Sequence, residues 1–144
     1  MAALVDDLND LLEHTRGIFE AVEMLADEIE ATDPDIERGL QDILDAERWT
    51  ASGLYHRITQ LHGTPNLRTT DFPSRLSSTE GLDRKLKAIS RKQESLAREA
   101  RAVFLRDDVD APTKALLDEM RALHLRNADW CKTILQEWEP TGTA

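Results

Sequence analysis

Four stretches of the chain repeat apolar side chains every three or four residues, which is the spacing of one face of an α-helix. The predicted helices cover residues 4–31, 34–62, 79–106 and 111–138. Each has about 27 residues and so a length of roughly 40 Å. Leu, Ala, Glu and Arg outnumber β-branched and aromatic residues, which also favours helix over strand.

The breaks between these predicted helices differ in length. Asp33 and Asp110 stand just before the second and fourth helices, where a carboxylate can cap a helix N-terminus. Residues 63–79 form a longer link that is rich in Gly, Pro, Ser and Thr, and Ser77 with Glu80 fits a capping box for the third helix. A link of this length can reach about 55 Å, which is enough to run the length of a bundle.

Two helical hairpins joined by a full-length crossover predict an all-α, ferritin-like four-helix bundle with a long crossover between helices 2 and 3. An up-and-down bundle would need only short loops. We expect one domain over residues 1–144, because this length suits a single core without disulfides or a structural metal.

The net charge of −10 argues against a nucleic-acid partner, since phosphate contacts need clustered cations. No stretch approaches the 18 or so apolar residues of a membrane span, so we expect no membrane partner. The acidic start of the chain does not resemble a signal peptide, and Cys131 has no second cysteine to pair with. These features predict a cytoplasmic protein.

The charge is unevenly distributed along the chain. Residues 4–33 hold ten acids and one base, whereas residues 84–106 hold eight bases and two acids. One interpretation is that both are solvated helix faces. The other is that the acidic first helix and the basic third helix pair, within or between molecules.

A belt of polar residues interrupts the apolar faces at the middle of all four predicted helices. Its members are Thr15, Glu47, Thr50, Gln93, His124 and Asn127. Their offsets from the two short turns agree within about one helical turn, so they are predicted to meet at mid-bundle. Each would cost about 1–3 kcal/mol if it were buried without a partner, so we expect them to hydrogen-bond one another or to bind something.

This belt resembles the ligand ring of di-iron and di-manganese ferritin-like bundles, which take one Glu from each of two helices and a Glu-x-x-His from each of the other two. Thr15 and Gln93 stand where a Glu would be. Glu47 retains the carboxylate of one Glu-x-x-His, but Thr50 replaces its histidine. Residues 124–127 keep the spacing of the other motif with different side chains, so one carboxylate and one imidazole remain.

The sequence is also similar to a narrower group of small bacterial ferritin-like proteins that are catalogued as a domain of unknown function. The stretches that carry the resemblance are Leu8-Asn9-Asp10-Leu11-Leu12-Glu13, Asp45-Ala46-Glu47-Arg48-Trp49, Gly63-Thr64-Pro65, Arg91-Lys92-Gln93, and Met120 through His124 to Asn127. This group implies a Glu at the position of Thr15, so the threonine argues against an inherited metal site.

Two hypotheses follow for function. The preferred one is a bundle with a degenerate, metal-free polar core that acts through its surface in interaction or assembly, without a cofactor or catalytic residues. The alternative is a weak mononuclear site for Fe, Mn or Zn, or an oxidoreductase, in which Glu47 and His124 bind the ion and Gln93 and Asn127 complete the site. Two-metal chemistry needs bridging carboxylates that the belt lacks.

Other candidate residues are assigned to the surface or to the core. His14, His56 and His62 are predicted to lie at the surface, and Cys131 to be an inert core residue. Glu13, Glu20 and Glu23 project to the edge of the first apolar stripe or away from it and are predicted to be solvated.

The expected partners are a second copy of the chain or another protein. Met24 and Trp49 lie outside the core stripes of their helices, where large apolar side chains can mark a dimer interface. Ferritin-like bundles often pair through their first two helices, so the resemblance implies a homodimer.

Overall fold

The structure, a computed structural model, describes residues 2–29 and 33–138, and this part of the chain is all-helical, with five helices and no strand. The helices are α1 (Ala2–Glu28), α2 (Pro34–Gln60), α3 (Phe72–Ser77), α4 (Leu82–Phe104) and α5 (Ala111–Trp138). Within the described ranges, no helix is both long and apolar enough to cross a lipid bilayer.

The start of α2 confirms the predicted cap. The Asp33 carboxylate accepts hydrogen bonds from the backbone N–H groups of Asp35 at 3.0 Å and Ile36 at 3.2 Å, and Pro34 is the first helical residue. Residues 30 and 31, which the sequence assigned to the first helix, lie outside the described residues.

The end of α2 differs from the prediction, which extended the helix to residue 62 and gave its termination to Gly63. The helix ends at Gln60, and His62 rather than a glycine takes the left-handed conformation, with a φ of 64°. The Gly63 N–H then bonds the Ile58 carbonyl at 2.9 Å. Gly63 is needed for space instead, because a Cβ there would lie 2.6 Å from a methyl group of Val5.

The sequence predicted an irregular link between α2 and α4, but the link contains the short helix α3. This short helix buries Phe72 and Leu76 in the core. Its six residues are too few for the helical period to stand out among the surrounding Pro, Ser and Thr.

The link runs along α1. The side-chain amide of Asn9 in α1 makes two hydrogen bonds to the start of the link. Its Nδ2 donates to the Thr64 carbonyl at 3.1 Å, and its Oδ1 accepts from the Asn66 N–H at 2.8 Å. Two turns further along α1, Gly17 lies so close to Thr70 that a Cβ would come within 2.2 Å of its hydroxyl oxygen. The link therefore travels the length of the helix and is a crossover.

The predicted capping box of the third long helix is wrong. Ser77 lies in α3, and α4 begins at Leu82 instead of residue 79. Gly81 occupies the cap position with a φ of 88°, and no side chain caps the helix. A positive φ favours glycine, which lacks the Cβ that strains other residues there.

The long helices are antiparallel to their neighbours. Lys85 near the start of α4 binds Glu28 at the end of α1, and Arg106 just after α4 binds Asp7 near the start of α1. On the other side, Gly39 of α2 packs against the Trp130 ring of α5.

Arg57 near the end of α2 binds Asp110 just before α5 at 2.8 Å, so α2 and α5 are antiparallel as well. The four long helices thus contact one another in the cyclic order α1, α2, α5, α4 around one apolar core.

Candidate functional site

All six residues of the predicted polar belt are buried. Thr15, Glu47, Thr50, Gln93 and His124 have no exposed surface, and Asn127 is 4 % exposed. They come from the middle of α1, α2, α4 and α5, and the core leucines and isoleucines lie above and below them. The helical period therefore identified which polar side chains point inward.

Gln93 is the centre of a hydrogen-bonded network. Its Nε2 donates to Glu47 Oε1 at 3.2 Å, and its Oε1 lies 2.5 Å from His124 Nδ1 and 3.5 Å from Asn127 Nδ2. His124 Nδ1 is also 3.1 Å from Glu47 Oε1. The structure thus joins four of the six predicted residues, from three helices.

The network determines which nitrogen of His124 carries a proton. Nδ1 faces two acceptors, Gln93 Oε1 and Glu47 Oε1, so it must be the donor. Nε2 lies on the opposite side of the ring and has no hydrogen-bond partner among the described residues.

The two threonines do not join this network. Thr15 donates to the carbonyl of Leu11 in its own helix at 2.8 Å. The hydroxyl of Thr50 is buried without a partner among the residues described, and the same holds for Glu47 Oε2. These two oxygens and His124 Nε2 are buried polar atoms of the belt for which residues 2–29 and 33–138 provide no partner. Such buried atoms are commonly satisfied by internal water or a bound ion.

The donors do not fit the two-metal site of the resemblance. No group of three or more His, Cys, Asp or Glu side chains that could hold a metal ion occurs in residues 2–29 and 33–138. The belt offers one carboxylate and one imidazole, and its amides and hydroxyls are weaker ligands for Fe, Mn and Zn.

The orientation of His124 also separates the two best ligands. Its Nδ1 side faces the Glu47 carboxylate, so the free Nε2 points away from it. An ion bound by Glu47 and by His124 Nε2 would require the imidazole to turn, and one bound through Nδ1 would have to take the place of the bond between His124 and Gln93.

A cleft between α2 and α5 leads from the surface to the edge of this network. It has a volume of about 640 Å³, and Trp49, Leu123 and Arg126 line it together with Asn127. Asn127 is the member of the network with residual exposure. It therefore separates the buried polar centre from the cleft.

Sequence reasoning missed two polar contacts outside the belt. Lys85 is 9 % exposed and binds Glu28 at 3.4 Å. His14, predicted to be at the surface, is half-buried, and its Nδ1 lies 2.9 Å from Lys92 Nζ. Burial is the main reason why the pKa of Lys92 is lowered. These contacts form where α1 and α4 pack against each other, and the sequence indicates them only through the places of the four residues along the two helices.

The other surface and core assignments are confirmed except that of Glu13, which was predicted to be solvated. His56 and His62 are exposed, and Met24 and Trp49 are 42 % and 46 % exposed. Cys131 is fully buried, and its burial raises the pKa of the thiol to about 12. Glu20 and Glu23 are exposed, whereas Glu13 is half-buried and binds Arg68 of the crossover at 3.1 Å.

Comparison with known proteins gives a family but no activity. A search of curated proteins found no match. The model of a protein family described as a domain of unknown function, DUF6306, matches residues 2–134, which is nearly the whole chain. The chain therefore belongs to the DUF6306 family.

Proposed function

We propose that this protein is a ferritin-like four-helix bundle with a metal-free polar core, and that it acts through its surface in protein interaction or assembly. The observation that carries the proposal is the position of Gln93, whose amide bonds both Glu47 and His124. The two side chains best suited to bind metal are thus bound to the same amide group.

The order and direction of the helices support the ferritin-like part of the proposal. All neighbouring long helices are antiparallel, so α2 and α4 run in the same direction and need a connection along the bundle. Residues 61–81 supply it and pack against α1. This arrangement of two hairpins with one crossover is the ferritin-like topology.

The chemistry of the core supports a structural role for the belt. A buried carboxylate is strongly destabilising unless it is hydrogen-bonded or paired. Glu47 has Gln93 and His124 as partners for one of its oxygens. The network can therefore fix the register of α2, α4 and α5 without an ion.

The surface supports a second copy of the chain as the partner. Of the large apolar residues that are more than a third exposed, Met24, Trp49 and Tyr55 lie on α1 and α2. A groove of about 550 Å³ between these helices has an apolar floor with charged side chains around it; its lining includes Leu12, Phe19, Ala51 and Tyr55 together with Arg16, Glu20, Glu23 and Arg48. An apolar floor with charged side chains around it is typical of a protein-binding surface.

The test is elemental analysis of protein that has been purified without chelator and with Fe, Mn and Zn present during expression. We expect far less than one equivalent of any of these metals per chain. Glu47→Gln should lose little stability, since the amide can still accept from Gln93 Nε2. Asp45→Asn, an exposed change on the same helix, is the matched control. About one equivalent of metal that disappears in Glu47→Ala would overturn the proposal.

A mononuclear Fe, Mn or Zn site is the second candidate, and one observation favours it. Glu47 Oε2, Thr50 Oγ1 and His124 Nε2 are buried without partners among the described residues. An ion that bound Glu47 Oε2 and, after the imidazole had turned, His124 Nε2 would satisfy two of them. This candidate predicts that loss of metal and loss of stability occur together in His124→Gln, whereas the metal-free core predicts no metal to lose.

A further inference from the structure

One face of α4 carries exposed cations without partners. The members of this cationic stripe are Arg84, Lys87, Arg91 and Arg98. Their spacing of three, four and seven residues places them on one side of the helix. None of them forms an ion pair within the described part of the chain, although the protein has a net charge of −10.

The outer face of α1 carries the complementary charges. Glu20, Glu23 and Asp27 are exposed and have no ion-pair partner among the described residues, and we call them the acidic stripe. Their spacing is three and four residues.

Two helices that dock antiparallel bring the start of one stripe to the end of the other. Asp27 then lies opposite Arg84, and Glu20 opposite Arg91. Glu23 falls within one residue of the position opposite Lys87, so the spacings of three pairs match.

These two stripes cannot pair within one molecule. The edge shared by α1 and α4 is already occupied by Glu28 with Lys85 and by Asp7 with Arg106. Glu20 and Glu23 line the groove on the far side of α1, against α2.

The cations lie on the opposite side of that shared edge. Lys87 and Arg91 line a groove on the far side of α4, against Leu135 and Gln136 of α5. The stripes therefore point away from each other, and only a second molecule can bring them together.

We propose that the chain self-associates head to tail, with the cationic stripe of one copy docked antiparallel on the acidic stripe of the next. The proposal deepens the assembly role put forward above and rests on it. A second copy is favoured over a polyanion because the chain itself supplies the matching spacing. Nucleic acid or an anionic membrane would also be repelled by the net negative charge of the remaining surface.

The head-to-tail contact does not limit the assembly to two copies. The two faces of the contact are different, so every docked copy still presents one free stripe of each sign. Heterologous contacts of this kind close into rings or continue as open chains instead of stopping at a pair. We therefore expect species larger than dimers as protein concentration rises.

The test is sedimentation velocity over a series of protein concentrations at low and high salt. At about 0.01 M salt the Debye length is about 30 Å, and at about 1 M it is about 3 Å. Exposed ion pairs should therefore hold the assembly at low salt and release it at high salt. We expect concentration-dependent oligomers in the first condition and monomers in the second.

Reversing the charges of one stripe at a time tests whether the cationic stripe of α4 and the acidic stripe of α1 form the contact. Arg84→Glu with Arg91→Glu should give monomers, and so should Glu20→Lys with Glu23→Lys. An equimolar mixture of the two variants should associate again, since each reversed stripe finds its complement on the other variant. Arg38→Glu with Arg126→Glu is the matched control, because it makes the same change of charge at exposed cations of α2 and α5.

Three results would overturn the proposal. The first is a monomer under all conditions, including the case in which the cationic stripe instead retains RNA or anionic vesicles. The second is oligomers that one reversal abolishes and the other leaves intact. The third is a salt-resistant dimer that is lost on Tyr55→Ser and survives both charge reversals, which would place the contact on the aromatic side chains of the α1 and α2 groove instead of on the two stripes.

The proposal on the core and the proposal on assembly can fail separately. Bound metal would overturn the metal-free core and leave the salt-dependent assembly standing. A permanent monomer without metal would overturn head-to-tail assembly and leave the core assignment intact.

Discussion

Gln93 Nε2 donates a hydrogen bond to Glu47 Oε1 across 3.2 Å at the centre of the protein. The carboxylate oxygen accepts this bond from the amide N–H, so Nε2 faces Glu47 and Oε1 of the same amide faces His124. The imidazole must then donate from Nδ1. One amide on α4 thus sets the hydrogen bonding of a side chain from α2 and another from α5.

Removing the Gln93 amide should lower the stability of the protein. Gln93→Leu leaves the buried Glu47 carboxylate and the His124 imidazole without their shared partner, so we expect a loss of about 2–4 kcal/mol in the free energy of unfolding. Urea denaturation followed by circular dichroism measures it. The exposed Gln41→Leu on α2 should change stability by less than about 0.5 kcal/mol. Equal effects of the two substitutions would show that the network contributes little.

Restoring the missing ligands should create metal binding. The combined variant Thr15→Glu, Thr50→His and Gln93→Glu places carboxylates and an imidazole where the ligand ring of di-metal bundles has them. It should be less stable than the wild type without metal, because like charges would be buried together. Added Zn or Mn should raise its melting temperature by several degrees and leave the wild type unchanged. A variant that stays insensitive to metal would contradict the correspondence of these positions.

The contact between Gly39 and Trp130 predicts a size limit on α2. A Cβ at Gly39 would lie 1.9 Å from the Trp130 ring, which would have to move. We expect Gly39→Ala to lower the free energy of unfolding by about 1–3 kcal/mol despite its better helix propensity.

Gly53→Ala is the comparison, because there the Cβ meets only the flexible end of Leu116 at 2.7 Å. It should cost less or be neutral. Equal losses at both positions would point to a general intolerance of α2 instead of a steric limit at the tryptophan.

The lowered pKa of Lys92 should make the free energy of unfolding depend on pH in the alkaline range. Its pKa in the folded protein is lowered, mainly by burial, so the unfolded chain binds more protons than the folded one between the lowered value and the ordinary 10.5. Stability should therefore rise with pH through that window on account of this residue.

Removing the amine should remove that contribution. We expect the slope of unfolding free energy against pH to be smaller in Lys92→Met than in the wild type as the pH rises toward 10.5. Lys87→Met, at an exposed position of the same helix, is the control and should keep the wild-type slope. An unchanged slope in Lys92→Met would contradict the effect of burial.

The polar belt was predictable because it depends on helical period and length alone. Glu47, Gln93 and Asn127 each stand at the centre of an apolar stripe, with His124 on the flank of the last, at distances from a short turn that agree within about one helical turn, and the structure buries all four. Their hydrogen bonds were not predictable. Rotation about several side-chain bonds decides whether Thr50 or Gln93 meets the carboxylate.

Features without a long period were missed. Helix α3 has six residues, and its burial depends on contacts with α1 that are distant in sequence. The contact between His14 and Lys92 depends on the way in which α1 and α4 pack, which no local pattern encodes. The sequence assigned the end of α2 to Gly63, but His62 has the positive φ, and Gly63 is the residue whose added Cβ would lie too close to Val5.

The most direct measurement of the central claim is ¹⁵N NMR of the His124 imidazole before and after addition of one equivalent of Zn²⁺. His124→Gln assigns the signal, and the exposed His56 and His62 serve as internal references. A metal-free network predicts that Nδ1 carries the proton in a hydrogen bond and that neither nitrogen shift changes on addition of zinc. A shift of either His124 nitrogen to that of a metal-bound imidazole, which Glu47→Gln then abolishes, would contradict it.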